Sequence, residues 1–386
     1  MPLIIQMAPT PGQEPFFRIG DYDRIGPMRS TMFFGLVMAL AGAAGAQQRG
    51  GQPSAPPLMT CGVHGDLEVL CGTRQPEDIE LAPDGKYLIL TQFVNTGRGG
   101  TPAHAGMALF DLAHKTYAKM AMTAEPDKAW GDPACPGPIG DDLISHGESL
   151  AKRKNGVWAL YVVNHGARQS IEMFEVKPAA GSWALVWRGC VVGAHDYNDV
   201  AILPDGGYVG TYPTALPQPP NSGGAFGGTV SGYVARWTPG KGESEVMGTR
   251  VAYPNGVVVS ANGREMFLNV FAAKEVRKYD LQTGKQTGSV KVDFLPDNLT
   301  WTKQRRLLVA GVKGARGDCP EGSGRPCIQG FGVAEINPTN MQARPIFDSA
   351  TVDPLIAGVS VAFAVGDSIY LGAFQGDRLV KIPYKK

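Results

Sequence analysis

Short apolar stretches that open on a polar or small residue recur six times along this chain of 386 residues. Successive openings are 42 to 69 residues apart. A repeat of about this length, built from strands, is typical of a β-propeller, in which the innermost strand of every blade meets one central channel. The sequence therefore predicts an all-β, six-bladed propeller that brings the openings together in a ring. The openings are Glu77-Asp78-Ile79-Glu80-Leu81, His146-Gly147-Glu148-Ser149-Leu150, Asn198-Asp199-Val200-Ala201-Ile202, Asn255-Gly256-Val257-Val258-Val259, Asp297-Asn298-Leu299-Thr300-Trp301 and Gly358-Val359-Ser360-Val361-Ala362.

Tight-turn sequences follow several openings and lead into a second apolar stretch. Pro83-Asp84-Gly85, Pro204-Asp205-Gly206 and Asn262-Gly263 supply the residues that adopt positive φ in hairpin turns. With 51 glycines, 30 prolines and 43% hydrophobic residues, the composition favours a turn-rich β protein over a disordered chain. We predict about four antiparallel strands per blade. Third strands are expected at 106–111, 170–176, 231–237, 275–280, 330–336 and 377–382.

The N-terminal segment has the features of an export signal. Arg29 precedes an apolar run over 32–46, and Ala44-Gly45-Ala46 fits the small-x-small rule of signal cleavage. The run is short for a membrane span, although a retained hydrophobic anchor is the alternative. We predict an upstream extension plus signal peptide over 1–46 and a flexible leader over 47–59, followed by the propeller over 60–386. The protein is thus expected to be periplasmic or secreted, with cleavage near Ala46.

Charge and cysteine content narrow the choice of partners and compartment. Lys and Arg total 36 and Asp and Glu total 35, so the net charge of +1 gives no reason to expect a nucleic acid or an anionic membrane. An even number of cysteines in an exported chain suggests disulfides, for which fifteen pairings are open. Cys319–Cys327 and Cys61–Cys71 are local pairs, and Cys135–Cys190 would then remain; a few free buried thiols are the alternative.

Oxygen-bearing side chains occupy the openings that would meet at the axis. Two are carboxylates and three are amides, and hard cations prefer such oxygen ligands. Two formal negative charges would balance Ca²⁺, which accepts six to eight ligands with flexible geometry, whereas Mg²⁺ keeps more of its water. Isolated residues of this kind are ordinarily turn or capping residues, but five at matched positions predict a calcium site. The five are Glu77, Asn198, Asn255, Asp297 and Asn298.

A second ion is predicted deeper in the channel. Asp78 and Asp199 directly follow two of the first ion's ligands, and neighbours along a strand point to opposite sides. Both carboxylates are therefore expected to face a second calcium, which the backbone carbonyl near Glu148 would complete. Ordinary hydrogen bonding to the next blade is the alternative interpretation.

Two histidines fall in the same predicted blade. His146 opens one strand, and His165 ends the strand that follows it. A neutral imidazole beside a bound cation keeps a lowered pKa and is suited to act as general base for a water molecule. His165 would orient His146 or relay its proton. The alternative is a pair of purely structural histidines.

The ordered set of these motifs resembles the serum paraoxonase/arylesterase family, which consists of six-bladed, calcium-dependent lactonases. The resemblance runs from about residue 77 to 384. It is carried by Glu77-Asp78-Ile79-Glu80, His146-Gly147-Glu148-Ser149, Tyr161-Val162-Val163-Asn164-His165, Asn198-Asp199-Val200, Asn255-Gly256-Val257, Asp297-Asn298-Leu299 and Ser360-Val361-Ala362.

The resemblance implies a role for each site residue. The family's catalytic calcium falls on the five oxygen-bearing residues named above, and its His dyad falls on His146 and His165. Its structural calcium falls on Asp78, Asp199 and the carbonyl of Glu148, where the family usually has an aliphatic side chain. The family's disulfide between the chain ends lacks its C-terminal cysteine here, because no cysteine follows Cys327.

The resulting hypothesis is a calcium-dependent hydrolase that opens lactones and cleaves aryl esters of small molecules. Calcium would stabilise the oxyanion, and His146 would activate water. The sequence shows no Gly-x-Ser-x-Gly elbow and no phosphate-binding Gly-x-x-x-x-Gly-Lys motif. One alternative is a gluconolactonase-type sugar-lactone hydrolase, which needs no His dyad. Another is a non-catalytic propeller that binds a ligand or partner.

Overall fold

Six sheets of four or five strands make up the chain in this computed structural model, which describes residues 57–93, 106–314, 329–349 and 353–385. The first blade contains β3 (Ile79–Leu81), β4 (Tyr87–Thr91), β5 (Met107–Asp111) and β6 (Thr116–Lys119). The second contains β7 (Ala121–Ala124), β8 (Ser145–Lys152), β9 (Trp158–Asn164), β10 (Ser170–Ala179) and β11 (Ser182–Val192), and the third contains β12 (Val200–Ile202), β13 (Tyr208–Tyr212), β14 (Tyr233–Thr238) and β15 (Gly242–Glu245).

The fourth blade contains β16 (Pro254–Val259), β17 (Glu265–Val270), β18 (Glu275–Asp280) and β19 (Gln286–Lys291), and the fifth contains β20 (Leu295–Trp301), β21 (Leu307–Val312), β22 (Phe331–Asn337) and β23 (Gln342–Asp348).

The sixth blade joins the two ends of the described chain. Its strand order is β1-β2-β26-β25-β24, so two early strands extend the sheet formed by the last three. The five are β1 (Gly62–His64), β2 (Leu67–Cys71), β24 (Val359–Val365), β25 (Ser368–Ala373) and β26 (Arg378–Pro383). Sharing one blade between both ends closes the ring without a free radial edge. This closure was not anticipated from the sequence, because β1 and β2 lie upstream of the first repeated opening.

The prediction of a six-bladed, all-β propeller is confirmed. The innermost strands contact one another in an unbroken ring, from β3 through β8, β12, β16, β20 and β24 back to β3. Four blades have the four expected antiparallel strands. The second blade gains β7, which pairs parallel with β11 and was not predicted. Short 3₁₀ helices occur at Gly140–Asp142, Gly224–Gly227 and Phe271–Ala273.

Apolar faces of adjacent blades pack against each other around the ring. In one cluster, Val209 of the third blade packs with Val257 and Leu268 of the fourth. In another, Leu88 of the first blade packs with Val361 of the sixth. Each blade thus buries both faces, because strands that alternate apolar residues outward and inward meet a neighbour on either side. The packing fixes the innermost strands, and these carry the site.

Two of the cysteine pairings that the sequence left open are present. Cys61–Cys71 spans the β1–β2 hairpin, and Cys135–Cys190 ties the segment before β8 to β11. Cys319 and Cys327 lie outside the described residues, as do the predicted extension and signal peptide over 1–46. Within the described ranges, no helical segment has the length and apolar character needed to cross a bilayer.

Candidate functional site

The innermost strands depart from regular pairing where the predicted site residues lie. Register shifts fall between Ser145 and Glu148, between Pro254 and Val257, and between Pro296 and Leu299. These intervals contain His146, Asn255 and the adjacent pair Asp297 and Asn298. Glu77 and Asn198 lie two residues before β3 and β12. Bulges break the two-sided alternation of a strand and re-aim side chains. The side chains of the adjacent residues Asp297 and Asn298 can therefore both take part in the same group of polar residues.

Glycines next to two of these residues let neighbouring blades approach closely. A Cβ on Gly147 would lie 2.4 Å from Oδ1 of Asp199 and 2.8 Å from the carbonyl of Asn198. A Cβ on Gly256 would lie 2.4 Å from the carbonyl of Asp297. Such distances leave room for hydrogen only. Both glycines thus bring an innermost strand against the site residues of the following blade.

The structure brings the five predicted calcium ligands together in one group. Glu77, Asn198, Asn255 and Asp297 line a single cavity of about 510 Å³. Asn298 donates from Nδ2 to Oε1 of Glu77 at 2.8 Å, which places it in the same group. All five side chains are buried. Glu77 is also tied to the sixth blade, because Ser360 Oγ donates to its carbonyl at 2.6 Å.

Four acceptor oxygens of this group have no hydrogen-bond partner among the described residues. They are Glu77 Oε2, Asn198 Oδ1, Asn255 Oδ1 and Asn298 Oδ1. A buried acceptor without a donor costs about 1–3 kcal/mol, so four in one place require a ligand or solvent that satisfies them together. Amide and carboxylate oxygens fit a hard divalent cation such as Ca²⁺. No three His, Cys, Asp or Glu side chains within the described ranges converge on a metal position, so an ion here would need the amides.

The electrostatics of the group also suit a cation. Burial raises the pKa of Glu77 well above its usual value, and the carboxylates of Asp297, Asp78 and Asp199 raise it further. The hydrogen bond from Asn298 acts in the opposite direction. A positive ion among these carboxylates would favour their charged forms and reverse the shift.

The carboxylates predicted to bind a second ion accept hydrogen bonds from backbone N–H groups, unlike the four oxygens of the first group that lack a partner among the described residues. Asp78 accepts from the backbone N–H groups of Ile79 and Glu148 at 2.8 and 2.9 Å. Asp199 accepts from those of Val200 and Val257 at 2.7 and 2.6 Å. Each carboxylate therefore links its own blade to the next, as the alternative interpretation expected. A second calcium on these residues stays a prediction.

Glu148 adds an unexpected feature close to these carboxylates. Both of its carboxylate oxygens lack a hydrogen-bond partner among the described residues, although the side chain is only 5% exposed. Burial raises the pKa of Glu148 well above its usual value, and the nearby carboxylates of Asp78 and Glu80 add to the shift. The sequence assigned a role to the carbonyl of this residue and none to its side chain.

The two predicted histidines are in direct contact. Nδ1 of His146 lies 2.9 Å from Nε2 of His165, and Nε2 of His146 lies 3.6 Å from Oε1 of Glu77. Phe93 stacks on the His146 ring with 4.2 Å between centroids. Burial lowers the pKa of both imidazoles, and His165 lowers that of His146 further. A neutral His146 is therefore available to accept a proton.

Gln169 extends the histidine pair to a chain of three. Its Oε1 accepts from Nδ1 of His165 at 2.6 Å. With that proton on Nδ1, Nε2 of a neutral His165 accepts from Nδ1 of His146. This leaves Nε2 of His146 with its lone pair directed away from His165. The chain thus fixes the tautomer that a general base requires.

The loop that carries Gln169 is held by buried polar contacts. Asn164 Nδ2 donates to the carbonyl of Arg168 at 2.7 Å, and Asn164 Oδ1 accepts from the N–H of Gly166 at 2.9 Å. Arg168 pairs with buried Glu172 at 2.9 Å. The partners in these contacts are only two to four positions apart in the sequence. The sequence Asn-His-Gly-Ala-Arg-Gln could therefore have indicated a structured loop. The role of Gln169 was missed because it depends on the loop's fold.

Aromatic side chains form the wall of the cavity and were also missed. Phe93, Phe226, Tyr253, Phe271 and Phe374 line it, together with Lys274. Most lie on loops or short helices between strands, where no periodic pattern marks them. A cavity with a polar floor and an apolar wall is typical of small-molecule sites.

No family model matches the chain, and no curated protein matches it. The chain is similar at low identity to many solved structures, including the following three. A gluconolactonase from Xanthomonas campestris is 15% identical, with 86% of this chain and 99% of that chain covered and a TM-score of 0.46. A putative gluconolactonase is 14% identical, with 84% and 93% covered and a TM-score of 0.46. A luciferin-regenerating enzyme is 13% identical, with 83% and 98% covered and a TM-score of 0.48.

Proposed function

We propose that this protein is an exported, calcium-dependent hydrolase that opens lactones and cleaves aryl esters. One observation carries the proposal. Four buried oxygens that have no hydrogen-bond partner among the described residues lie near a neutral histidine, whose tautomer is fixed by two further side chains. The oxygens suit a hard cation, and the imidazole suits a general base. Export is supported by the two disulfides, which persist in oxidising compartments.

Glu77, Asn198, Asn255, Asp297 and Asn298 would hold the calcium ion. When bound, calcium supplies a Lewis acid that polarises the substrate carbonyl and stabilises the oxyanion. Nε2 of His146 accepts a proton from water as the water oxygen bonds to the carbonyl carbon. The bond from that carbon to the ring oxygen then breaks, and His146 returns the proton to the leaving oxygen. The product is a hydroxy acid, or an acid and a phenol from an aryl ester.

Neighbouring side chains support this step. His165 and Gln169 keep the lone pair of His146 on Nε2, and Phe93 restricts the ring by stacking. The aromatic wall binds the organic part of the substrate and excludes bulk water. The chain His146–His165–Gln169 favours this proposal over the gluconolactonase-type alternative, which has no need of it.

The test is hydrolysis by purified protein before and after calcium removal. The panel contains aliphatic lactones, an aromatic lactone, an aryl ester and a sugar lactone, and metal content is measured in the same samples. We expect lactone and aryl-ester turnover that a chelator abolishes and calcium restores. Turnover of the sugar lactone alone, with other divalent metals equally effective, would favour the gluconolactonase type. Tight calcium binding with an inert panel would favour a binding protein.

A further inference from the structure

One side of the cavity is built from three aromatic rings in mutual contact. Phe226 stacks on Tyr253 with 4.7 Å between centroids, and both rings contact Phe271 at 5.8 and 5.4 Å. Phe226 is 49% exposed although its ring contacts two aromatic neighbours. Exposed, clustered aromatic surface in a cleft is typical of a binding surface for a planar apolar group.

The aromatic cluster, defined as Phe226, Tyr253 and Phe271, is held in place by the backbone. Tyr253 adopts a left-handed φ of 58°, and its N–H donates to Oγ of Ser231 at 2.9 Å. The N–H of Phe271 donates to the carbonyl of Tyr253 at 3.1 Å. A positive φ is costly for an aromatic residue and persists where surrounding contacts impose it. The cluster is thus a preformed surface.

A cation stands next to this cluster. Lys274 lines the cavity, and its N–H donates to the carbonyl of Phe271 at 3.1 Å. Its carbonyl accepts from the N–H of Val292 at 3.0 Å, so its backbone is fixed on both sides. None of the salt bridges among the described residues involves the Lys274 ammonium. The adjacent Glu275 is instead paired with Arg277 at 2.9 Å and Lys291 at 3.6 Å.

The charge of the cavity decides what Lys274 can bind. Glu77 and Asp297 are the two carboxylates of the lining, and a divalent ion bound there would balance them. Lys274 is the only Lys or Arg that lines this cavity in the described part of the chain. With the ion in place, no further carboxylate of the described lining is left to balance its charge. An anionic group on the substrate would supply the missing charge.

We infer that the substrate of this site is an aromatic lactone or ester bearing an anionic group, with its ring on the aromatic cluster and its anion on Lys274. This inference rests on the proposed hydrolase function and adds the substrate class to it. A calcium ion held by Glu77, Asn255 and Asp297 at the floor would supply the Lewis acid for the carbonyl. Because Lys274 contacts the tail of the substrate and not the reacting atoms, it acts on KM more than on kcat.

The test uses a benzo-fused lactone that carries a carboxylate on its ring and the same lactone with a neutral carboxamide there. Lys274→Met removes the charge and keeps the length of the side chain. Lys241→Met, on an exposed turn outside the cavity, is the matched control. We expect Lys274→Met to lower kcat/KM for the carboxylate substrate about five- to tenfold, mainly through KM, and to spare the carboxamide within about twofold. Added salt should reduce the wild-type preference for the carboxylate.

A second variant tests the aromatic part. Phe226→Leu should lower the preference for the benzo-fused lactone over its saturated-ring counterpart, and it should fold because Phe226 is half exposed. Equal turnover of carboxylate and carboxamide by the wild type, unchanged by Lys274→Met, would overturn the inference and leave the hydrolase proposal standing. Failure of the calcium-loaded wild type on every lactone would instead overturn the hydrolase proposal.

Discussion

His146 is the general base of the proposed reaction. Its Nε2 carries a lone pair, its pKa is lowered by burial, and its ring is held by His165 and Phe93. General base catalysis contributes about 10²–10⁴-fold to rate, so His146→Gln should lower kcat for lactones by at least about 100-fold. Calcium affinity, measured by calorimetry, should stay within about twofold.

The control for this variant is His114→Gln, because His114 is exposed and, among the described residues, is hydrogen-bonded only to nearby Asp111. It should leave kcat unchanged. A His146→Gln variant with full lactonase rate would show that the base assignment is wrong, and a metal-bound hydroxide would then be the better account.

Gln169 is expected to act through His165 as a positioning residue. Gln169→Met keeps the length but removes the acceptor for Nδ1–H of His165, so kcat should fall about tenfold with little change in KM. Gln169→Glu keeps an acceptor and should restore most of kcat. Nitrogen NMR of the histidine rings should show a changed tautomer in the methionine variant only. Equal kcat in wild type and Gln169→Met would reduce Gln169 to a loop residue.

At the residue scale, the sequence predicted the polar floor of the site and missed its wall. Residues such as Asn255 begin a repeated strand opening, so their convergence follows from the fold class alone. Gln169, Phe226 and Lys274 lie outside the repeat, on loops and short helices. Their approach to the cavity depends on tertiary packing that local patterns do not encode.

At the scale of the strands, bulges and glycines place the ligands. Strict alternation would send Asp297 and Asn298 to opposite faces, and the register shift in β20 removes that conflict. The sequence placed the six openings correctly, because apolar stretches bounded by turn residues are local signals. It did not anticipate β7 or the β1–β2 closure, since both depend on pairing with distant strands.

Gly147 tests the importance of close approach between β8 and β12. In Gly147→Ala, the new Cβ would clash with Oδ1 of Asp199 and displace Asn198. The free energy of unfolding should drop by about 1–3 kcal/mol, and calcium should bind more weakly. Lys154→Ala, on the exposed turn of the same hairpin, should change neither. If Gly147→Ala bound calcium like the wild type, the strands would be adaptable and the glycine dispensable for the site.

At the scale of the whole molecule, the ring concentrates buried carboxyls around its axis. Burial raises the pKa of Asp78 to about 7 and that of Glu80 to about 8. The folded, metal-free protein therefore holds protons at pH values where the unfolded chain has released them. Its free energy of unfolding should fall as pH rises from about 4 to about 8, because the folded state binds more protons across that window.

Thermal melts of chelated protein between pH 5 and pH 8 measure this effect. The melting temperature should decrease toward pH 8, and added calcium should raise it more at pH 8 than at pH 5. Calcium competes with protons for the carboxylates, which explains the direction of the difference. Equal stability of the chelated protein at both pH values would mean that burial does not raise the pKa values of Asp78 and Glu80 in the folded state.

The claim that the unpartnered oxygens form a calcium site is tested most directly by calcium titration of metal-free wild type and Asn255→Leu. Oδ1 of Asn255 is buried and has no donor in the described part of the chain, so leucine of similar size should not destabilise the metal-free protein. The account predicts that Asn255→Leu melts no lower than metal-free wild type, yet binds calcium at least about tenfold more weakly and loses lactone turnover in parallel. Calcium affinity equal to that of the wild type in this variant would contradict it.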